Sequence, residues 1–270
     1  MSTPCPACRS TANKPVAEQL ESGAFNLCTE CGLQYVGPQV ADRPVFRDFT
    51  EAGQALFSRL QGEGAVAKVL TPNERAALGW AGHTLAPGAP VLELCCESGR
   101  FLLGLKSMGL EPIGMDPIAG HVEMLRRWGF TVKQGWVESY PGDWPSPAAV
   151  VLLESLVRFP EPIRLLEGIR RRFPRVPIYV SVPSPRRSLK VPEFDRRLDY
   201  PPDHLTRWTP RALLGALKHA GYSGHCRTCH VRIRWREGSL KKRLLKIAFA
   251  ATLRLTGESE YSICAAGWPR

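Results

Sequence analysis

The sequence lacks any apolar run approaching the roughly 18 residues of a membrane-spanning helix, which predicts no such span. Its first residues, MSTPCPACRS, lack a basic segment followed by an apolar one, which predicts no secretory signal and a cytoplasmic chain. Internal repeats and low-complexity segments are absent. Aromatic residues are sparse at 9%, and the basic stretch 170–197 carries only Phe173, Tyr179 and Phe194. Sparse interleaving of this kind argues against stacking on single-stranded nucleic acid.

What is present belongs to a folded protein. Hydrophobic residues make up 44% of the 270 and charged residues 23%. That balance excludes wholesale disorder and a fibrous fold. The charge is uneven: residues 1–150 carry 12 Lys+Arg against 15 Asp+Glu, and residues 151–270 carry 24 against 10. A basic second half predicts a polyanion, an anionic membrane surface or an acidic partner, or simply arginine used for solubility.

The nine cysteines are grouped. Cys5-Pro-Ala-Cys8 and Cys28-Thr-Glu-Cys31 are separated by 19 residues. Each CxxC knuckle presents two thiolates, and four thiolates at about 2.3 Å close a tetrahedral structural Zn²⁺ site. A redox pair is the competing reading. Roughly 35 residues cannot bury enough core to fold unaided, so the metal would be structural. The run Cys226-Arg-Thr-Cys229-His230 matches covalent haem attachment. Haem c is attached outside the cytoplasm, and the surrounding alternation reads as a strand, so haem is rejected.

From about residue 89 strands and helices alternate. Ala89–Cys96, Pro112–Met115, Thr131–Gln134, Ala148–Leu153 and Pro177–Val182 read as buried strands, and Tyr261–Ala266 as a last one. Gly99–Met108, Gly120–Trp128, Pro162–Phe173 and Pro210–Ala220 read as helices. The prediction is an α/β fold, a doubly wound, Rossmann-like, mostly parallel sheet with a small N-terminal zinc ribbon. Expected boundaries are 1–40 for the ribbon, 41–88 for a helical connector and 89–270 for the sheet domain. Ligands of such sheets bind beyond the carboxyl ends of the strands, where Asp116, Glu154 and Ser181 fall.

The segment Val91-Leu92-Glu93-Leu94-Cys95-Cys96-Glu97-Ser98-Gly99-Arg100-Phe101-Leu102 resembles the first motif of class I S-adenosylmethionine-dependent methyltransferases. Asp116 follows Gly99 by 17 residues, where that family places the acid for both ribose hydroxyls. The stretches AVVLLESLVRFPEPIRLLEGIRRRFP, IYVSVPSP and DYPPDHLTRWTPRALLGALKHAGYS also resemble the family, as does the N-terminal ribbon of its bacterial members acting on small molecules and glycan precursors. The resemblance implies S-adenosylmethionine as cofactor. It implies Glu93 at the methionine amino group, the turn Cys95, Glu97 and Gly99 beneath it, and Trp136 or Glu138 at the adenine. It further implies Glu154 as the acid after the fourth strand, and His204, with Tyr200, Asp203 and Trp208, at the substrate mouth, His204 as general base.

The departures are specific. The family's turn usually has glycine where Cys95 and Glu97 stand, and glycine permits close approach and positive φ. Val157 and Arg158 replace a Glu-His pair that some members use for metal or base work. Arg186, Arg187, Lys190, Arg196 and Arg197 form a second cluster suited to a phosphate or nucleotide sugar. Residues 238–255 read as an apolar-faced basic helix, which would lie on an anionic membrane or pack on its own domain. The leading expectation is methyl transfer to a small molecule or glycan precursor. The alternatives are a non-catalytic methyltransferase-like protein acting through a partner, and a nucleic-acid methyltransferase or binder.

Overall fold

The computed structural model describes residues 4–16, 25–37, 44–60, 66–187, 200–230 and 259–270, with positions 244, 245, 247, 248, 251, 252 and 255. Parallel strands β4 (Pro90–Leu94), β5 (Glu111–Asp116), β6 (Thr131–Gln134), β7 (Ala149–Leu153) and β8 (Ile178–Pro183) form the body of a seven-stranded sheet. Two antiparallel strands, β10 (Tyr222–His230) and β11 (Glu260–Pro269), complete it in the order β10-β11-β8-β7-β4-β5-β6. Helices α3 (Pro72–Thr84), α4 (Arg100–Ser107) and α5 (Ala119–Arg127) cover one face, and α6 (Pro162–Arg172) and α7 (Pro210–His219) the other.

The apolar runs are continuous because successive strand residues enter opposite cores. Leu92, Leu94, Val150 and Leu152 pack with α6 and α7, while Val91, Ala149 and Val151 pack with α3, α4 and α5. Each fully buried leucine or valine contributes about 1.5–3 kcal/mol. Leu92→Ala would remove one such contact and cost about 2–5 kcal/mol, cavity included. The start of α3 is fixed by a capping box: Thr71 accepts from the Glu74 N–H, the Glu74 carboxylate accepts from the Thr71 N–H, and Pro72 opens the helix.

The N-terminal unit shares a strand and a core layer with the rest of the chain. Strands β1 (Asn13–Pro15), β2 (Phe25–Cys28) and β3 (Gln34–Val36) form an antiparallel sheet, and β9 (Thr206–Arg207), from the far end of the chain, adds a fourth strand beside β3. Cys5, Cys28, Leu33 and Tyr35 share the core layer of α6 and α7. Between the two lies a segment, residues 44–49, leading into α1 (Thr50–Arg59), and a short α2 (Val66–Val69) precedes α3. Among the described residues no helix is long and apolar enough to cross a membrane. Of the 238–255 block, Leu244, Leu245, Ile247 and Leu255 are exposed, and its other apolar and basic positions lie largely outside the described residues.

Candidate functional site

Cys5 and Cys8 stand in the turn before β1, Cys28 ends β2 and Cys31 lies in the next turn. Their four Sγ atoms lie within 4.8 Å of one another. Cys5–Cys31 measures 3.6 Å and Cys8–Cys28 3.5 Å. The edge of a tetrahedron with 2.3 Å metal–sulfur bonds is about 3.8 Å, so the cluster is close to coordination size. Gly32 holds φ 76° just beyond the second knuckle, a conformation glycine adopts freely. The Cys31 thiol pulls Cys5 down to about 5 although burial opposes it.

The turn between β4 and α4 keeps the backbone of a glycine-rich loop without two of its glycines. Cys95 has φ 59°, Glu97 φ 42° and Gly99 φ 71°. At Gly99 a Cβ would stand 2.1 Å from Leu125 Cδ2, so any side chain there would have to displace Leu125. The neighbouring strand end holds the turn: Cys95 N–H donates to the Met115 carbonyl at 2.7 Å, and Glu97 N–H to Asp116 Oδ2 at 2.8 Å. Asp116 is 1% exposed. Its Oδ1 accepts from Ile118 N–H and is bonded to His121 Nδ1, each at 2.9 Å. His121 Nε2 in turn accepts from Phe49 N–H at 2.7 Å, which puts the ring proton on Nδ1, directed at Asp116.

Opposite the turn stands Arg158, in a short 3₁₀ turn after β7 and 9% exposed. Its guanidinium lies 3.8 Å from Glu97 Oε1 and 3.6 Å from Asp203 Oδ1, and it donates to the Val45 carbonyl. Arg47 clamps Asp203 bidentately at 2.6 and 2.7 Å, which helps hold that carboxyl below the usual range. Burial pushes Glu97 up, and Arg158 opposes it. Phe46 completes an aromatic trio, 5.5 Å from Trp136 and 6.0 Å from Phe159. Residues 45–49 therefore lie across the ends of β5 and β6, fastened by Val45, Arg47 and Phe49. A small pocket of about 80 Å³ beside the turn is lined by Glu74, Glu93, Glu97, Glu154 and Arg100 among others.

Glu93 is buried on β4 with Oε2 lacking any hydrogen-bond partner. Burial, then the nearby acids Glu74, Glu97 and Asp116, raise its pKa well above the usual range. Glu154, at φ 56°, is a hub: its Oε1 accepts from Ser262 at 2.7 Å and from Ser181 at 3.2 Å, and its Oε2 lies 3.3 Å from Arg187. Arg187, expected beside a phosphate, is thus engaged by an acid, and Arg186 lies 3.6 Å from Glu260. Lys190, Arg196 and Arg197 lie outside the described residues. Glu138 is exposed, with Oε1 near Gly168 of α6.

His204 is buried in the turn that leads to β9, beside Asp203. Trp208 is fully buried, donating to Thr206 Oγ1 at 2.8 Å, and Tyr200 packs near Phe25 of the ribbon. Tyr200 and Trp208 thus pack where the ribbon meets the sheet domain. Cys229 and Cys264 touch across β10 and β11, with Sγ atoms 3.2 Å apart. Sequence reasoning missed His121, Arg47 and Phe46. The available signal was the pair of departures at Glu97 and Arg158, which carry opposite charges.

No protein-family model and no curated protein sequence matches the chain. Solved structures do. A complex between the Haloferax volcanii Trm112 methyltransferase activator and a methyltransferase aligns over 82% of this chain and 95% of that one, at 17% identity and a TM-score of 0.55. The plantazolicin methyltransferase BpumL aligns over 82% and 96%, at 13% identity and a TM-score of 0.52. Magnesium protoporphyrin IX methyltransferase of Synechocystis PCC 6803 aligns over 82% and 96%, at 14% identity and a TM-score of 0.50. The chain has the class I methyltransferase fold. Glu97 and Arg158 stand on the turns that follow β4 and β7. Activity and substrate do not follow from the fold.

Proposed function

We propose that this chain is a methyltransferase-fold protein that works by binding, with the fold's cofactor site filled by its own side chains. The observation that carries this reading is the Glu97–Arg158 pair at 3.8 Å, two non-family residues that meet over the turn. S-adenosylmethionine would need ribose-binding oxygens on Asp116, which already accept three protein hydrogen bonds. The residues present do not fit it in this arrangement. Calorimetric titration with S-adenosylmethionine tests the reading. No binding is expected up to about 1 mM, and a dissociation constant below about 100 µM would overturn it.

One observation favours the second reading, methyl transfer to a small molecule or glycan precursor. Glu93 Oε2 is a buried acceptor with no partner, beside the turn where the resemblance implies the cofactor's amino group. On that reading residues 45–49 must leave the strand ends, and Phe46→Ala with Arg47→Ala would strengthen cofactor binding.

For the ribbon, a structural zinc ion is proposed on Cys5, Cys8, Cys28 and Cys31. Its support is four thiols at near-coordination spacing, a donor set suited to a closed Zn²⁺ site. Contact of residues 238–255 with an anionic membrane stays a proposal, supported by the exposure of Leu244, Leu245 and Leu255.

A further inference from the structure

The run Cys226-Arg-Thr-Cys229 reads as a CxxC pair, yet its two cysteines part company on folding. Strand residues three apart point to opposite faces of a sheet. Cys226 packs with the α6 and α7 layer, whereas Cys229 belongs to the layer of α3, α4 and α5. Cys229 instead meets Cys264 of β11 in that same layer, Sγ to Sγ at 3.2 Å. In the β10–β11 ladder Arg227 lies opposite Cys264 and Cys229 opposite Ser262, so the two cysteines are diagonal neighbours, beside the irregularity at Cys229/His230.

The two thiols are unlike. The S–H of Cys264 draws Cys229 below the ordinary thiol range, with burial opposing and the Arg227 guanidinium assisting. The same contact, with burial, holds Cys264 above that range. Arg227 is itself steadied by donating to the Ala76 carbonyl at 3.2 Å. Cys229 is 9% exposed and Cys264 1%, so the thiol that more readily gives up its proton is also the more accessible. A thiolate is the form that attacks an oxidant, and a second thiol at contact distance resolves the product. Cys226, by contrast, is pushed up to about 11 by burial.

We propose that Cys229 and Cys264 are a redox-active pair that hydrogen peroxide converts to a cross-strand disulfide. The Cys229 thiolate takes one peroxide oxygen and becomes a sulfenic acid, and hydroxide leaves. The Cys264 sulfur then displaces that oxygen from Cys229, the S–S bond forms, and the Cys264 proton departs in a water molecule. Overall the two thiols lose two electrons and two protons, and one peroxide becomes two waters. The bond would join the strand before residues 231–258 to the strand after them, closing that stretch, with its basic block 238–255, into a covalent loop. The pair involves neither Glu97 nor Arg158 and holds whether or not the chain binds S-adenosylmethionine.

Treating the full chain with a small excess of hydrogen peroxide, then alkylating it and mapping its peptides without reduction, tests the proposal. A Cys229–Cys264 linked peptide should appear, two hydrogens lighter than its parts, and dithiothreitol should remove it. Cys226→Ala should form the same link. Cys264→Ser keeps a donor for Cys229 but cannot close a disulfide. In that variant dimedone should trap a sulfenic acid at Cys229 at least about tenfold more than at Cys226, following their thiolate fractions. The map of the unmodified chain decides the matter if the serine variant fails to fold. A map without the Cys229–Cys264 link, or with Cys229 joined to Cys226, would overturn the proposal. So would equal dimedone labelling of Cys226 and Cys229.

Discussion

Replacing Cys95 and Glu97 together by glycine probes the candidate cofactor site most directly. Both residues hold left-handed backbone, at φ 59° and 42°, a strain of about 1 kcal/mol each that glycine relieves. The extra freedom of two glycines in the unfolded chain takes back about 0.4–1 kcal/mol each. Losing Glu97 also removes a gross attraction of about 4 kcal/mol at 3.8 Å and an effective dielectric of 20, much of it already offset by desolvation. Arg158 keeps Asp203 at 3.6 Å, so it is not stranded. The double variant should therefore fold with a melting temperature near that of the wild type. Binding is another matter. An unpaired Glu97 carboxylate about 4 Å from the cofactor's own carboxylate would repel it by about 4 kcal/mol, nearly a thousandfold, an upper bound that Arg158 at 3.8 Å from Glu97 reduces. S-adenosylmethionine titrated calorimetrically should give no heat with the wild type and measurable binding with the variant, a gain of at least about a hundredfold. A wild type that binds as well as the variant would refute the reasoning, as would a folded variant that gains less than about tenfold.

Purified protein should contain about one Zn²⁺ per chain by elemental analysis, and Cys28→Ser should lose it. Because β9 extends the ribbon sheet, hydrogen exchange in that variant should rise at Leu205–Trp208 as well as in the ribbon; unchanged exchange there would separate the two units. Glu93 retains its proton in the folded chain at pH values where the unfolded chain, near 4.5, has released it, so its contribution to stability falls as pH rises above about 4.5. Glu93→Gln should flatten that fall, and a melting-temperature difference constant from pH 5 to pH 8 would contradict a raised Glu93. Gly99→Ala should destabilise by about 2–4 kcal/mol in denaturant unfolding, since it combines φ 71° with a Cβ 2.1 Å from Leu125; a loss under about 0.5 kcal/mol would show that the turn relaxes.

Local rules were enough to read the frame of this protein from its residues. Apolar runs of strand length, helically spaced apolar residues and CxxC pairs are short-range patterns, and the strands, helices and cysteine cluster lie where those patterns fall. The strand-end positions of Asp116 and Glu154 were legible for the same reason, whereas Ser181 lies inside β8, two residues before its end. Which partners those residues meet was not. Asp116 is engaged by Glu97, Ile118 and His121, and His121 by Phe49, because the connector crosses the strand ends, and no periodicity encodes that crossing. The ribbon sheet gains β9 through a contact spanning about 170 residues, which composition does not encode. The opposite charges at 97 and 158 are visible in the sequence as two separate oddities. Only folding brings them to 3.8 Å, where burial turns two oddities into one ion pair over the turn.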